Sequence, residues 1–146
     1  MQAPRKAFQP RRVLVVDDNL DHVQMLAMLL KDMGHQTEFA ISGHAAIGMA
    51  RRFRPEVVLL DLGLPDMDGT LVCRQLRQEV GLEHARILVL TGSAREGDRE
   101  RVMEAGGDQF LQKPLDPRFL ESLLGSVGEA GPGAAQAASG QHLKAR

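Results

Sequence analysis

The chain of 146 residues is 43% hydrophobic and 25% charged, with a formal net charge of -1, a balance typical of one soluble globular domain. This charge leaves no basic field for nucleic acid, and the lack of Trp and Tyr removes the rings that stack best on single strands. One Cys excludes an internal disulfide, the N-terminus is unlike a signal peptide, and no apolar run is long enough to span a membrane. We therefore expect a cytoplasmic protein with no nucleic-acid or membrane partner.

The first half of the chain predicts two strands and two helices. Residues 12–16 are an arginine followed by four apolar residues, a pattern typical of a strand that a parallel sheet buries on both faces. Asn19 or Asp18 can cap the following helix, whose apolar stripe at helical spacing is Val23, Leu26, Leu29, Leu30 and Met33. Methionines at helical spacing are likewise predicted to belong to the core. Residues 35–40 are more polar, as at a sheet edge, and Ser42 opens a second helix.

The second half predicts three strands and three helices. Two apolar runs, residues 57–60 and 87–90, predict buried strands, and residues 109–112 predict a fifth, short strand. Asp68 caps a helix after the first run, a polar helix spans residues 98–105, and Asp116 followed by Pro117 opens the last helix. The alternation of five strands with five helices predicts a doubly wound α/β domain.

We expect this domain to occupy residues 12–127. Residues 1–11 are polar and basic, and they predict a flexible N-terminal arm. Residues 128–146 are rich in Gly and Ala and cannot bury enough apolar surface to offset their conformational entropy. We therefore expect a disordered tail there.

Polar side chains follow four of the five predicted strands. In strand order they are Asp17 and Asp18, Asp61, Thr91 and Lys113. In open parallel sheets the ligand-binding crevice lies outside the carboxyl ends of the strands. We therefore expect three carboxylates, a hydroxyl and an ammonium to meet in one crevice.

The three carboxylates predict a cation site. Carboxylates held close together repel one another and retain protons unless a cation is bound, and an all-oxygen set favours Mg²⁺ over zinc. Asn19 could add a side-chain oxygen and Gly63 its backbone carbonyl. Mg²⁺ and Lys113 would neutralise phosphoryl oxygens, Thr91 would donate a hydrogen bond, and an Asp could be the nucleophile. The residues thus predict a site that handles a phosphoryl group.

Four segments, in this order and spacing, resemble the signature of response-regulator receiver domains. They are Val-Leu-Val-Val-Asp-Asp-Asn from residue 13, Leu-Leu-Asp-Leu-Gly-Leu-Pro-Asp-Met-Asp-Gly from residue 59, Leu-Thr-Gly from residue 90 and Leu-Gln-Lys-Pro-Leu from residue 111. The resemblance covers about residues 12–127. It implies a flavodoxin-like fold, in which a five-stranded parallel sheet of order 2-1-3-4-5 is flanked by five helices.

The resemblance implies roles at the metal site. Asp61 matches the phosphoacceptor, which takes a phosphoryl group from a histidine kinase or a histidine phosphotransfer protein. Asp17 and Asp18 match the acidic pair that binds Mg²⁺ together with Asp61, and Gly63 matches the residue whose backbone carbonyl is a further ligand. Gly63 and Ser93 match positions that flank the path of attacking water, so we expect them to tune hydrolysis.

The resemblance also implies a switch. Lys113 matches the residue that pairs with the phosphoryl oxygens, and its peptide bond to Pro114 is cis in that family. Thr91 matches the hydroxyl that moves toward the phosphate, and Phe110 matches the aromatic switch position, where Phe replaces the frequent Tyr and its hydroxyl. The surface of the fourth helix, the fifth strand and the fifth helix is then expected to change for partners.

The function expected from these features is a phosphorylation-dependent signalling switch. Such a protein catalyses only its own phosphoryl transfer and dephosphorylation, and it is not an enzyme with an external substrate. Its partners would be a histidine kinase or phosphotransfer protein and a downstream protein target, and it would act as a monomer or a phosphorylation-dependent dimer. It would be a stand-alone regulator or a receiver from a larger chain such as a hybrid kinase.

Two other functions remain open. The first is an adapter of the same fold that never accepts phosphate, although an acidic pocket without a metal role would cost stability. The second is a phosphatase with Asp66 as nucleophile, because residues 66–70 match the D-x-D-G-T motif of haloacid-dehalogenase-like enzymes. That motif should follow its strand directly, whereas residues 63–65 intervene here and Pro65 breaks any extension of the strand.

Overall fold

The structure, a computed structural model, describes residues 9–79 and 81–125. The strands are β1 (Arg12–Val16), β2 (Gln36–Ala40), β3 (Val57–Asp61), β4 (Arg86–Thr91) and β5 (Gln109–Gln112). The helices are α1 (Leu20–Asp32), α2 (Gly43–Phe53), α3 (Gly69–Gln78), α4 (Asp98–Glu104) and α5 (Pro117–Gly125).

None of these described helices has the length and apolar character needed to cross a membrane. The predicted arm over residues 1–11 lies largely outside the described residues, and the predicted tail over 128–146 lies wholly outside them.

The five strands form one parallel sheet in the order β2-β1-β3-β4-β5, which confirms the expected topology. In the register of β1 with β3, Val16 lies opposite Leu60, and in that of β3 with β4, Asp61 lies opposite Leu90. The more polar strand β2 lies at one edge of the sheet, as predicted. β3 is buried over its whole length, and its carboxyl end lies at the centre of the edge where all five strands end.

Helices cover both faces of the sheet. Successive residues of a strand point to opposite faces, so each central strand contributes to two cores. Leu60 belongs to the core shared with α2, α3 and α4, whereas Leu59 belongs to the core shared with α1 and α5. This arrangement confirms the doubly wound α/β fold.

Two exposed methionines correct the prediction that methionines at helical spacing belong to the core. Met25 is 68% exposed and Met28 is 65% exposed. The buried side of α1 is formed by Val23, Ala27 and Leu30, and the two methionines fall between these positions on the outer side. Met25 and Met28 are themselves three residues apart, so helical spacing alone does not tell which side of the helix they occupy.

The amino-terminal ends of β4 and β5 are tied together by Arg77 of α3. Its Nε donates to the Gly106 carbonyl at 2.9 Å, and its Nη2 donates to Asp108 Oδ2 at 2.6 Å. The same Asp108 oxygen accepts the Ile87 N–H at 2.8 Å. Arg77 is therefore a structural residue at the end of the sheet opposite to the predicted site.

Candidate functional site

Three carboxylates meet where β1 and β3 end. Asp17 and Asp18 follow β1 directly, and Asp61 is the last residue of β3, the neighbouring strand. One oxygen of each carboxylate lies within 4.8 Å of the others. Asp17 and Asp61 are buried, whereas Asp18 is exposed. The structure thus brings together the three acidic residues that the sequence places after these strands.

Lys113 brings a positive charge into this acidic cluster from the end of β5. Its Nζ lies 2.9 Å from Asp17 Oδ2 and 3.5 Å from Asp61 Oδ2. Its backbone N–H donates to the Thr91 carbonyl at 2.8 Å, which fixes the chain after β5 to the end of β4. The Lys113–Pro114 peptide bond is cis, as the resemblance implies. One ammonium group therefore faces two buried carboxylates.

The acidic cluster holds more negative than positive charge. Burial raises the pKa of Asp61 above its usual value and the charge of Asp17 adds to this effect, while the Gly63 N–H and Lys113 oppose it without cancelling it. For Lys113, burial acts to lower the pKa, but the hydrogen bond to Asp17 and the charge of Asp61 raise it above its usual value. The ionised form of Asp61 is therefore disfavoured, mainly by burial.

The donor set of the cluster fits a hard divalent cation. Its three carboxylates offer only oxygen atoms, the ligands that Mg²⁺ prefers in proteins. Gly63 lies beside them, because its N–H donates to Asp61 Oδ1 at 3.2 Å. A divalent cation would stabilise the ionised form of Asp61, which burial disfavours by raising its pKa.

Asn19 caps α1 at the edge of the cluster. Its Oδ1 accepts the His22 N–H at 3.1 Å, and its own N–H donates to Asp17 Oδ1 at 2.9 Å. Of the two predicted caps, the helix therefore uses Asn19, and the Asp18 carboxylate belongs to the acidic cluster. The Asn19 side-chain oxygen, predicted above as a possible further metal ligand, instead accepts the His22 N–H of the helix.

Thr91 ends β4 beside the strand that carries Asp61. In the register of the two strands Leu90 lies opposite Asp61, and Thr91 follows. Thr91 is buried, and its Oγ1 accepts the Ser93 N–H at 3.1 Å. A Cβ added at Gly63, two residues after Asp61, would meet no atom within 4 Å, so there is open space beside Gly63.

Phe110 lies inside the protein, between the sheet and α4. It pairs with Val89 of β4 and is only 8% exposed. It belongs to the same core cluster as Val102 and Ala105, which lie in and at the end of α4. A shift of α4 would therefore change the packing of Phe110.

Asp66 lies outside the acidic cluster and contacts the start of α2. Its Oδ1 accepts the Gly43 N–H at 2.8 Å, its Oδ2 accepts the His44 N–H at 3.1 Å, and the His44 Nδ1 lies 2.7 Å from Oδ2. The two backbone hydrogen bonds lower the pKa of Asp66 to about 2. This arrangement disfavours Asp66 as a phosphatase nucleophile. Because Asp66 and His44 are 22 positions apart, no local sequence signal marks their contact.

A groove of about 380 Å³ adjoins the cluster, between α1 and the chain that follows β5. Asp17 and Lys113 form its polar part, and its apolar lining includes Met25 and Leu115. His22 also lines the groove, with its Nδ1 4.0 Å from Asp17 Oδ2. No sequence motif marks His22; its place in the first turn of the helix after Asp17 is the only signal.

Comparison with known sequences agrees with these features. The sequence pattern of the response regulator receiver domain matches residues 13–124. The chain is 31% identical over 122 residues to the polar-differentiation response regulator DivK of Brucella anthropi, a match that covers 83% of this chain and 99% of that protein.

Solved structures agree as well. The chemotaxis protein CheY4 of Vibrio cholerae matches with a TM-score of 0.76 and 28% identity, over 82% of this chain and 99% of that protein. The receiver domain of a sensor histidine kinase from Pseudomonas aeruginosa, which has a magnesium ion in its active-site cleft, matches with a TM-score of 0.75 and 28% identity, over 84% of this chain and 100% of that domain. The chain therefore belongs to the family of response regulator receiver domains.

Proposed function

We propose that this receiver domain is a phosphorylation-dependent signalling switch, in which Asp61 accepts a phosphoryl group from a histidine kinase or a histidine phosphotransfer protein. The observation that carries the proposal is the group of three carboxylates, two of which face one ammonium, with Lys113 Nζ 2.9 Å from Asp17 and 3.5 Å from Asp61. The contact of Lys113 with Asp61 is the longer one, and there is open space beside Gly63, two residues after Asp61. Asp61 is therefore the better placed of the two buried carboxylates to receive a new group.

The proposed reaction depends on Mg²⁺. Asp17, Asp18 and Asp61 would hold the ion, together with the backbone carbonyl of Gly63. When bound, the ion supplies positive charge that neutralises phosphoryl oxygens. The all-oxygen donor set of this chain supports the assignment, as does the magnesium ion in the cleft of the Pseudomonas aeruginosa receiver domain.

In the transfer step, an Asp61 carboxylate oxygen attacks the phosphorus of the donor phosphohistidine. A P–O bond forms, the P–N bond breaks, and the electron pair of the broken bond stays on the imidazole nitrogen. The Lys113 ammonium neutralises charge on the phosphoryl oxygens, and the Thr91 hydroxyl donates a hydrogen bond to one of them. Gly63 and Ser93, both exposed, leave space for the water that later hydrolyses the product. The chain thus acts on itself and on no external substrate.

Phosphorylation would place a charge of about -2 at the end of β3. Thr91 Oγ1, which accepts the Ser93 N–H in this structure, would turn to donate toward the phosphate. Phe110 packs with α4, so its movement into the space that Thr91 vacates would alter the surface of α4, β5 and α5. Because Phe110 has no hydroxyl to form a hydrogen bond, a change in the burial of its ring would alter this surface. A downstream protein would recognise this surface, on a monomer or on a dimer that forms on phosphorylation.

The test is the intact mass of the protein after incubation with Mg²⁺ and acetyl phosphate. We expect one acid-stable, base-labile phosphoryl adduct in the wild type and in Asp66→Asn, and none in Asp61→Asn. An adduct that is lost only in Asp66→Asn would contradict the proposal and move the nucleophile to the D-x-D-G-T motif. The absence of any adduct, with acetyl phosphate and with a phosphorylated kinase alike, would favour the adapter function.

A further inference from the structure

The turn between β2 and α2 is bonded to the two loops that adjoin the acidic cluster, one after β1 and one after β3. At one end of this turn, the Asp17 N–H donates to the Ala40 carbonyl at 3.1 Å. At the other end, the N–H groups of Gly43 and His44 donate to Asp66 at 2.8 Å and 3.1 Å. The turn is therefore bonded to the loop after β1, which carries Asp17 and Asp18, and to the loop that follows Asp61 at the end of β3.

We term the second contact the Asp66 clasp: the Asp66 carboxylate with the N–H groups of Gly43 and His44 and the His44 ring. Both carboxylate oxygens of Asp66 have partners: Oδ1 accepts the Gly43 N–H, and Oδ2 lies 2.7 Å from the ring Nδ1 of His44. The clasp lowers the pKa of Asp66 to about 2, so this carboxylate is ionised at neutral pH. Ser42 caps the same helix separately, since its Oγ accepts the Ala45 N–H at 3.1 Å.

The loop between β3 and α3 is closed on itself and packed tightly against α2. The Gly69 N–H donates to the Leu62 carbonyl at 3.2 Å, and a Cβ at Gly69 would lie 2.8 Å from Leu62 Cα. A Cβ at Gly43 would lie 2.6 Å from Met67 Sδ, so a larger residue would push the loop away from α2. Gly63 lies on this loop, and a displacement of the loop would therefore move Gly63.

We propose that Asp66 is a positioning residue for the metal site. The Asp66 clasp holds the loop that follows Asp61 and carries Gly63 against a turn that is also bonded to Asp17. This inference rests on the proposed function, because it requires Mg²⁺ at the acidic cluster. Loss of the Asp66 carboxylate frees the loop and should therefore weaken Mg²⁺ binding. Because Asp66 is neither a ligand nor a catalytic residue, the phosphorylation rate at saturating Mg²⁺ should stay unchanged.

The first test is a Mg²⁺ titration of the unphosphorylated full chain, followed through its backbone amide resonances. We expect Asp66→Ala to raise the Kd for Mg²⁺ by roughly tenfold, the lower end of what outer partners of metal ligands contribute. Asp66→Asn keeps one acceptor oxygen and should give an intermediate Kd. Ser42→Ala is the matched control, because it removes a cap of the same helix and leaves the clasp in place; it should bind Mg²⁺ like the wild type.

A second readout separates positioning from catalysis. The rate of phosphorylation by acetyl phosphate is measured at increasing Mg²⁺ concentration. In Asp66→Ala the half-saturating Mg²⁺ concentration should rise by the same factor as the Kd, while the maximal rate stays that of the wild type. A lower maximal rate at unchanged half-saturation would overturn the inference.

The remaining outcomes also decide the question. If Ser42→Ala weakens Mg²⁺ binding as much as Asp66→Ala does, the effect belongs to the helix cap and the inference is wrong. If Asp66→Ala does not fold, Asp66→Asn decides, and a wild-type Kd in that variant overturns the inference. A wild type that neither binds Mg²⁺ nor accepts a phosphoryl group would contradict the proposed function as well. If the wild type does both and the Asp66 variants behave like it, only the positioning role of Asp66 is contradicted.

Discussion

At the residue scale, the site depends on how Lys113 divides its charge between two carboxylates. Asp17 has the shorter contact with the ammonium, and its other oxygen accepts the Asn19 N–H. Asp61 has the longer contact and is buried, and burial raises its pKa. Asp61 is therefore the carboxylate whose charge an added cation would stabilise most.

His35 links pH to stability at the other end of the sheet. Its Nδ1 accepts the Arg11 N–H at 3.0 Å, which requires a neutral ring. Burial, and then the charge of Arg11, lower the pKa of His35 from 6.5, although Glu56 acts to raise it. At pH values between 6.5 and the lower pKa of the folded state, the His35 ring is protonated in the unfolded chain and neutral in the folded protein. The contribution of His35 to stability is thus complete above pH 6.5 and is lost as the pH falls through this window.

We expect the free energy of unfolding to fall more steeply with decreasing pH in the wild type than in His35→Gln. The difference should reach about 1.4 kcal/mol for each unit by which folding lowers the pKa of His35. The measurement is urea denaturation at a series of values between about pH 7 and pH 5. His84→Gln, at an exposed position, is the control and should keep the wild-type pH dependence. Identical pH dependence in the wild type and His35→Gln would contradict this prediction.

At the element scale, polar side chains hold α3 at both ends. At its start Asp68 accepts the Thr70 N–H at 2.8 Å and lies 3.8 Å from the Arg101 guanidinium of α4. At its end Arg77 donates to the Gly106 carbonyl and to Asp108, in the turn between α4 and β5. α3 is therefore joined to α4 near the site and to the neighbouring turns at the opposite end of the sheet.

Replacement of Arg77 should destabilise the fold without affecting phosphorylation. Arg77→Met leaves the Gly106 carbonyl and the Asp108 carboxylate without this donor, and we expect a loss of about 2–3 kcal/mol in the free energy of unfolding. Arg74→Met changes an exposed arginine of the same helix and should stay within about 0.5 kcal/mol of the wild type. The measurement is denaturant unfolding of both variants. Equal stabilities would show that the Arg77 contacts contribute nothing.

The elements and the site residues are predictable from sequence because both have local signals. The run over residues 57–60 identifies its strand by itself, and Asp61 is placed at the crevice simply because it follows that strand. The Asp66 clasp has no such signal, since its partner His44 lies 22 positions earlier and meets it only in the folded chain. The exposure of Met25 is equally non-local, because it depends on which side of α1 the sheet covers.

At the scale of the whole molecule, the parallel sheet brings distant residues to one edge. The hydrogen bond from Lys113 to Asp17 joins residues 96 positions apart. It exists because every crossover returns the chain so that all strands end on the same side. The chain leads from Thr91 into α4 and from Lys113 into α5, and Phe110 packs with α4 in the core. A new charge on Asp61 would therefore affect the position of α4 and α5.

The measurement that tests this account most directly compares the backbone amide chemical shifts of the full chain before and after phosphorylation, in the presence of Mg²⁺. We expect changes around Asp61 and across residues 92–119, which include α4 and β5, and no change in Asp61→Asn treated in the same way. A phosphoryl adduct confirmed by mass on Asp61, with the shifts of residues 92–119 unchanged, would contradict the switch.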